Sequence, residues 1–162
     1  MANRAIVVAN YFVKLSKEKG IPLTVMQLLK LVYIAHGWNL AINDKPLFTE
    51  QVEVRPFGPI VKSVYDAFKK YGIGPIENVE NDPIFNFGTN SVFLHAFFNE
   101  SEKEIMDTVY EDYSLYDGLT LSKLTHDEDT PWTSAFKEGK RYISNDDIKA
   151  YFINFVEKYA GV

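Results

Sequence analysis

The chain has 162 residues, 46% hydrophobic and 24% charged, with a formal net charge of −5. That balance predicts one folded domain over residues 1–162, able to bury about 70% of its unfolded surface without metal or crosslinks. Cysteine is absent, which excludes disulfide frameworks, thiolate metal sites and cysteine nucleophiles and fits a reducing cytoplasm.

From Ala2 to Lys19, apolar residues at Ile6, Ala9, Phe12, Val13 and Leu15 approach a 3.6-residue period, which predicts an amphipathic helix stopped by Gly20. After Pro22, Thr24 and Gln27 have the spacing of a capping box and open a second helix. It is apolar on most of its circumference, from Leu28 through Ala41, and ends at the Asn43-Asp44 turn, so it should be the central, most buried helix. Gly37 within it weakens the helix, and the close approach of another backbone would explain its presence. The alternation Val52-Glu53-Val54-Arg55 predicts a short extended segment or edge strand, followed by a tight turn at Gly58-Pro59. Pro59 suits the first turn of a third helix, Ile60 to Tyr71, with Val61, Val64, Tyr65 and Phe68 inward and Gly72 as the stop.

Residues 72–92 are punctuated by glycine, proline and asparagine and read as a loop region, with a strand near Ile84 to Phe87. Ser101 and Glu104 have capping-box spacing and open a fourth helix ending near Asp117-Gly118. Thr120 caps a short helix Leu121–Thr125, and Thr130-Pro131 opens another carrying Trp132 and Phe136. Ser144 precedes a closing helix with Ile148, Tyr151, Phe152, Phe155, Val156 and Tyr159 on its apolar face. The expected fold class is predominantly α: a compact single-domain helical fold of about six helices with a short extended segment or small β-sheet.

The longest apolar stretch, Leu28 to Ile42, is interrupted by Lys30, His36, Gly37 and Asn39 and is too short for a bilayer, so no membrane segment is expected. The N-terminus lacks the form of a signal peptide, which points to the cytoplasm. An acidic chain is a poor ligand for phosphates, and the lysine groups 14, 17, 19 and 62, 69, 70 read as solvated helix faces. Candidate chemistry rests on His36, His95, His126 and the run Asp127-Glu128-Asp129. His36 in mid-helix reads as a buried, hydrogen-bonded histidine. His126 reads as a helix-end residue capping carbonyls or bonding Asp127 or Asp129. No calcium loop, His-Glu-x-x-His pattern, nucleophile elbow or phosphate cradle is present, so neither a metal nor a cofactor is expected.

The stretch Leu28, Leu29, Lys30, Leu31, Tyr33, Ala35, His36, Gly37 and Trp38 resembles the Panacea antitoxin domain family, a phage-associated domain also called SocA-like or GepA-like. The likeness continues through Leu47-Phe48, Glu50, Val52-Glu53, Phe57-Gly58-Pro59-Ile60, Val64-Tyr65 and Phe68. It is completed by Leu121, Ser122, Leu124, Thr125 and His126 with Pro131-Trp132, then by Ile143-Ser144-Asn145-Asp146 with Ile148 and Tyr151-Phe152. Val54-Arg55-Pro56 stand where the family often has an aromatic residue and a further polar one.

The resemblance implies an antitoxin, not an enzyme, that neutralises a cognate protein toxin by direct contact, or in some members hands it to a protease system. The motif residues Lys30, Tyr33, His36, Trp38, Glu53, Gly58, Pro59, Tyr65, Thr125, His126 and Trp132 then either support the fold or face the toxin. Of these, Lys30, His36, Glu53 and His126 are expected to form one hydrogen-bonded group. The partner surface is expected either as strand addition at Val52–Phe57 or as a groove beside the third helix. Competing readings are a small hydrolytic or metal enzyme using His36, His126 and nearby carboxylates, and a DNA-binding regulator.

Overall fold

The most apolar stretch of the chain organises the rest. In the computed structural model, which describes residues 3–81 and 97–160, it forms helix α2 (Val25–Asn43), buried along most of its length. Thr24 Oγ1 accepts from the Gln27 amide and the Gln27 side chain accepts from the Thr24 amide, the reciprocal cap expected from sequence. Asp44, in the left-handed region, closes the helix. Helix α1 (Ala5–Lys19) begins three residues later than its periodicity suggests. The amide of Ala5 is held by both carboxylate oxygens of Glu50, at 2.9 and 3.1 Å, which sets a negative charge against the positive end of the helix. Gly20, at φ 70°, stops it as expected.

Strands β1 (Val52–Arg55), β2 (Gly58–Ile60) and β3 (Tyr142–Ile143) form an antiparallel sheet of order β2-β1-β3. Two expectations change here. β1 is the central strand, not an edge, so both of its hydrogen-bonding sides are occupied and strand addition along Val52–Arg55 is closed off. Pro59 and Ile60 pair with Val54 and Glu53 in β2, so α3 (Lys62–Phe68) starts two residues late and passes into a 3₁₀ turn, Lys69–Tyr71, before Gly72. Proline is tolerated there because β2 is an edge strand. Val61, Val64 and Phe68 face inward, but Tyr65 is 43% exposed. One residue is about 100° of helix, which turns Tyr65 away from the face that Val64 buries.

Helix α4 (Glu100–Tyr113) is capped by Asn99 and Glu102, two residues before the expected Ser101 and Glu104 pair. Helix α5 (Gly118–His126) is capped by Asp117, not by Thr120, whose amide is the donor to Asp117. Helix α6 (Pro131–Lys137) has the expected Thr130 cap and first-turn proline, and before α7 (Asn145–Ala160) the Ser144 hydroxyl accepts from the Asp147 amide. Seven α-helices thus occur among the described residues, against about six expected, and the fold is predominantly α with a small sheet. Residues 82–96, including His95 and the strand expected near Ile84 to Phe87, lie outside the described residues, as do the side chains of Val156 and Tyr159. No helix among the described residues is long and apolar enough to cross a membrane.

α2 sits in the middle, packed on α7, α5, α4 and α1. Gly37 explains the closest of these contacts. A Cβ at that position would lie 2.2 to 2.7 Å from ring atoms of Phe152 on α7, so a side chain, rather than the expected second backbone, demands the glycine. Gly37→Ala is therefore expected to lower the unfolding free energy by about 1–3 kcal/mol, the usual range for overpacking a filled core. Denaturant unfolding measures it, and an unchanged midpoint would show that Phe152 yields freely.

A buried lysine and the carbonyls of a hairpin turn

Three side chains from three helices converge on the turn between β1 and β2. Lys30 of α2 is 0% exposed and donates from Nζ to the Pro59 carbonyl at 3.0 Å. Ser122 of α5 donates to the Phe57 carbonyl, and Trp132 of α6 donates from Nε1 to the Arg55 carbonyl at 2.8 Å. The carbonyls of alternate residues 55, 57 and 59 are thus each taken by a buried donor. Gly58 lies among them at φ 110°, a left-handed value that side chains rarely adopt. A Cβ on Gly58 would stand 2.9 Å from Lys30 Nζ, 3.2 Å from Thr125 Oγ1 and 3.4 Å from His126 Nδ1, so the glycine is required for space as well as for conformation.

The helix supplies this group by its periodicity. Ser122, Thr125 and His126 stand at i, i+3 and i+4 on one face of α5, directed at the turn. Thr125 Oγ1 lies within reach of the Leu121 and Ser122 carbonyls of its own helix, at 3.0 and 2.9 Å. Because the Ser122 hydrogen goes to Phe57, the 3.4 Å contact between Ser122 Oγ and His126 Nδ1 has the imidazole N–H as donor. The His126 ring meets the Trp132 ring edge-on at 5.2 Å, and Trp132 in turn stacks on Phe136 at 4.9 Å. His126 therefore serves the turn and the indole rather than Asp127 or Asp129. Burial pushes the Lys30 amine down to about 7, since only the Pro59 carbonyl compensates its desolvation.

The single polar group expected from sequence resolves into separate clusters. Lys30, Gly58, Pro59, Thr125, His126 and Trp132 meet at the turn; His36, Glu53, Trp38 and Tyr65 do not. Six residues is about 600° of helix, so His36 points roughly 120° away from Lys30. Its Nδ1 accepts from the Leu47 amide at 3.2 Å, which leaves the proton on Nε2 to reach Asn145 Oδ1 at 3.0 Å. The ring also stacks on Phe48 at 3.9 Å. Burial lowers its pKa to about 4, against a small opposing effect of Asn145 and Glu50, so it is neutral, as a structural histidine should be. Glu53, 4% exposed, pairs instead with Arg55, two residues along the same face of β1, at 3.0 Å and with Arg141 beside β3 at 3.5 Å.

Trp38 packs edge-on against Phe155 at 6.0 Å. Tyr33 is buried with its hydroxyl unpartnered, beside an apolar cavity of about 60 Å³ that Thr125, Tyr151 and Phe152 also line. His36 and His126 have no partner in common, and no group of three or more metal-ligating side chains occurs among the described residues. The lysines of α3 and its 3₁₀ turn are paired, Lys62 and Lys69 with Asp66 and Lys70 with Glu80. Sequence reasoning missed Ser122 as a contributor. The i, i+3, i+4 spacing of Ser122, Thr125 and His126 was the available signal, but its target, a backbone carbonyl, has no signature in a sequence.

The family model described as Antitoxin SocA-like, Panacea domain, matches residues 28–133, well over half of the chain and the whole span from Lys30 to Trp132. No curated protein and no solved structure matches.

Two pH dependences follow from the buried bases. Lys30 releases its proton near 7 when folded and near 10.5 when unfolded, so between those values the unfolded chain holds more protons and stability rises with pH. Unfolding free energies of the wild type should climb between about pH 7 and about pH 9, and those of Lys30→Met should stay flatter. His36 is shifted from 6.5 to about 4, so stability falls as pH drops through that window, by up to about 3 kcal/mol. Urea titrations at stepped pH should show this acid loss in the wild type and a weaker one in His36→Gln; parallel curves would contradict the assignment.

Proposed function

Because the chain belongs to the SocA-like Panacea antitoxin family, we propose that it is the antitoxin of a toxin-antitoxin pair, neutralising a cognate protein toxin in the cytoplasm by direct contact. Family membership is the observation that carries this reading. The molecule's chemistry agrees with it: the two histidines among the described residues are taken up by backbone, hydroxyl, amide and ring contacts, leaving no acid-base pair facing a cleft. Its motif residues at the hairpin turn support the fold. Lys30, Ser122, Thr125 and Trp132 are buried and hold backbone, so a toxin cannot reach them without unfolding the turn. The toxin-facing residues are then exposed ones.

Growth assays test the proposal. The product of the adjacent gene is expected to arrest growth when expressed alone and to be tolerated when this chain is co-expressed. Recovery of the two proteins as a stoichiometric complex indicates neutralisation by occlusion, whereas rescue with disappearance of the toxin indicates delivery to a protease. Absence of both toxicity and rescue would overturn the antitoxin reading. Glu53→Gln and His126→Ala should each lower the melting temperature while leaving toxin capture intact below the transition. Lost capture at unchanged stability would instead make these residues part of the contact surface.

A further inference from the structure

Tyr33 presents a buried donor with nothing to receive its hydrogen. The side chain is 1% exposed in the middle of α2 and its hydroxyl has no hydrogen-bond partner, a state that costs free energy comparable to a lost hydrogen bond. The ring borders the cavity of about 60 Å³ that lies between α2, α4, α5, the start of α6 and α7. Two neighbours direct the hydroxyl into that space. Phe152 meets the Tyr33 ring edge-on at 5.8 Å, Tyr151 is near enough to act on the phenol electrostatically, and both are walls of the cavity. Burial raises the pKa of Tyr33 far above the usual phenol range, so the group keeps its proton and remains a donor. The two threonines of the wall have already committed their hydrogens, Thr125 to the Leu121 and Ser122 carbonyls and Thr130 to the Asp127 carbonyl at 2.8 Å. Ile34, Leu124, Pro131, Phe152 and Phe155 supply apolar wall, and no charged side chain lines the cavity among the described residues. Leu124 is 45% exposed, and half-buried Tyr151 also lines the open polar depression alongside, so the cavity has its way out to solvent on that side.

Independently of the antitoxin reading, we propose that this cavity is a binding site for a small neutral molecule, slender and apolar except for one acceptor oxygen that takes the Tyr33 hydrogen, with a short-chain ketone or aldehyde as the simplest case. The chemistry of the wall selects that occupant. A free buried donor requires an acceptor. An ion is rejected, because a single phenol cannot offset its desolvation and no charged wall residue helps. The volume of about 60 Å³ is several times the roughly 10–15 Å³ that one water needs and under half of the roughly 150 Å³ that accepts benzene, so a chain enters and a ring does not. Water is a poor filling, since each molecule requires about two to four polar partners and most of the wall beyond Tyr33 is apolar. An occupant would touch α2, α5 and α7 together and so stabilise the folded chain by mass action.

The test titrates 2-butanone and its hydrocarbon isostere 2-methylbutane into the purified full chain and follows the NMR methyl signals of Ile34 and Leu124. The ketone should shift both signals saturably and bind about tenfold more tightly than the hydrocarbon, the ratio that one buried hydrogen bond supplies. In Tyr33→Phe that preference should disappear while the hydrocarbon binds as before. The melting temperature of ligand-free Tyr33→Phe should be unchanged or higher, because the hydroxyl removed had no partner, so lost ketone binding will not reflect unfolding. Absence of a saturable shift at Ile34 with either molecule would overturn the site. Equal binding of the ketone by the wild type and Tyr33→Phe would overturn it as well. A lower melting temperature for ligand-free Tyr33→Phe, with water cross-peaks at Tyr33 that the ketone does not displace, would make the cavity a water site only and sink the proposal.

Discussion

The hydrogen bond from Lys30 to the Pro59 carbonyl ties the most buried helix of the chain to the β1–β2 hairpin. The Phe57 carbonyl lies in the two-residue turn and the Pro59 carbonyl on the edge strand β2, and an unpaired carbonyl taken out of water costs free energy comparable to a lost hydrogen bond. Lys30, Ser122 and Trp132 remove that cost from three different helices at once. The turn is thereby the point where α2, α5 and α6 are registered against the sheet. Gly58 is the condition for it, because its φ of 110° and missing Cβ let Lys30, Thr125 and His126 close around the backbone.

This arrangement places costly polar groups in the apolar centre. A buried amine with one carbonyl acceptor and a buried imidazole with two partners both lose basicity, so the imidazole is neutral at neutral pH and the amine carries its proton only part of the time. Burying the imidazole neutral avoids most of the desolvation penalty of an ion while preserving the direction of each hydrogen bond. Glu53 follows the other solution: it takes two arginines whose guanidinium groups water still reaches. Lys30, His36 and Glu53 thereby tie separate elements to one another from buried positions.

A division of labour follows between the two ends of α2. Its middle is locked by the hairpin, by Phe152 against Gly37 and by the His36 contacts to the Leu47 and Asn145 segments. Its start forms one wall of an apolar groove that is open to solvent.

The sequence by itself determined most of the secondary structure, because helix periodicity, the Thr24–Gln27 box, the Thr130-Pro131 start and the stops at Gly20 and Gly72 act over a few residues. Family resemblance in the order of the motif blocks was legible for the same reason: each block is contiguous. Competing caps were not resolved, since Asn99 and Asp117 differ from Ser101 and Thr120 only in which amide their side chains reach. Tertiary structure alone decided that β1 is central, because β3 arrives from nearly ninety residues away. It also decided that Lys30 and His126 meet while His36 and Glu53 do not. Side chains on a helix diverge by about 100° per residue and those on a strand alternate, so which polar residues share a site depends on how separate elements pack, and no local pattern encodes that.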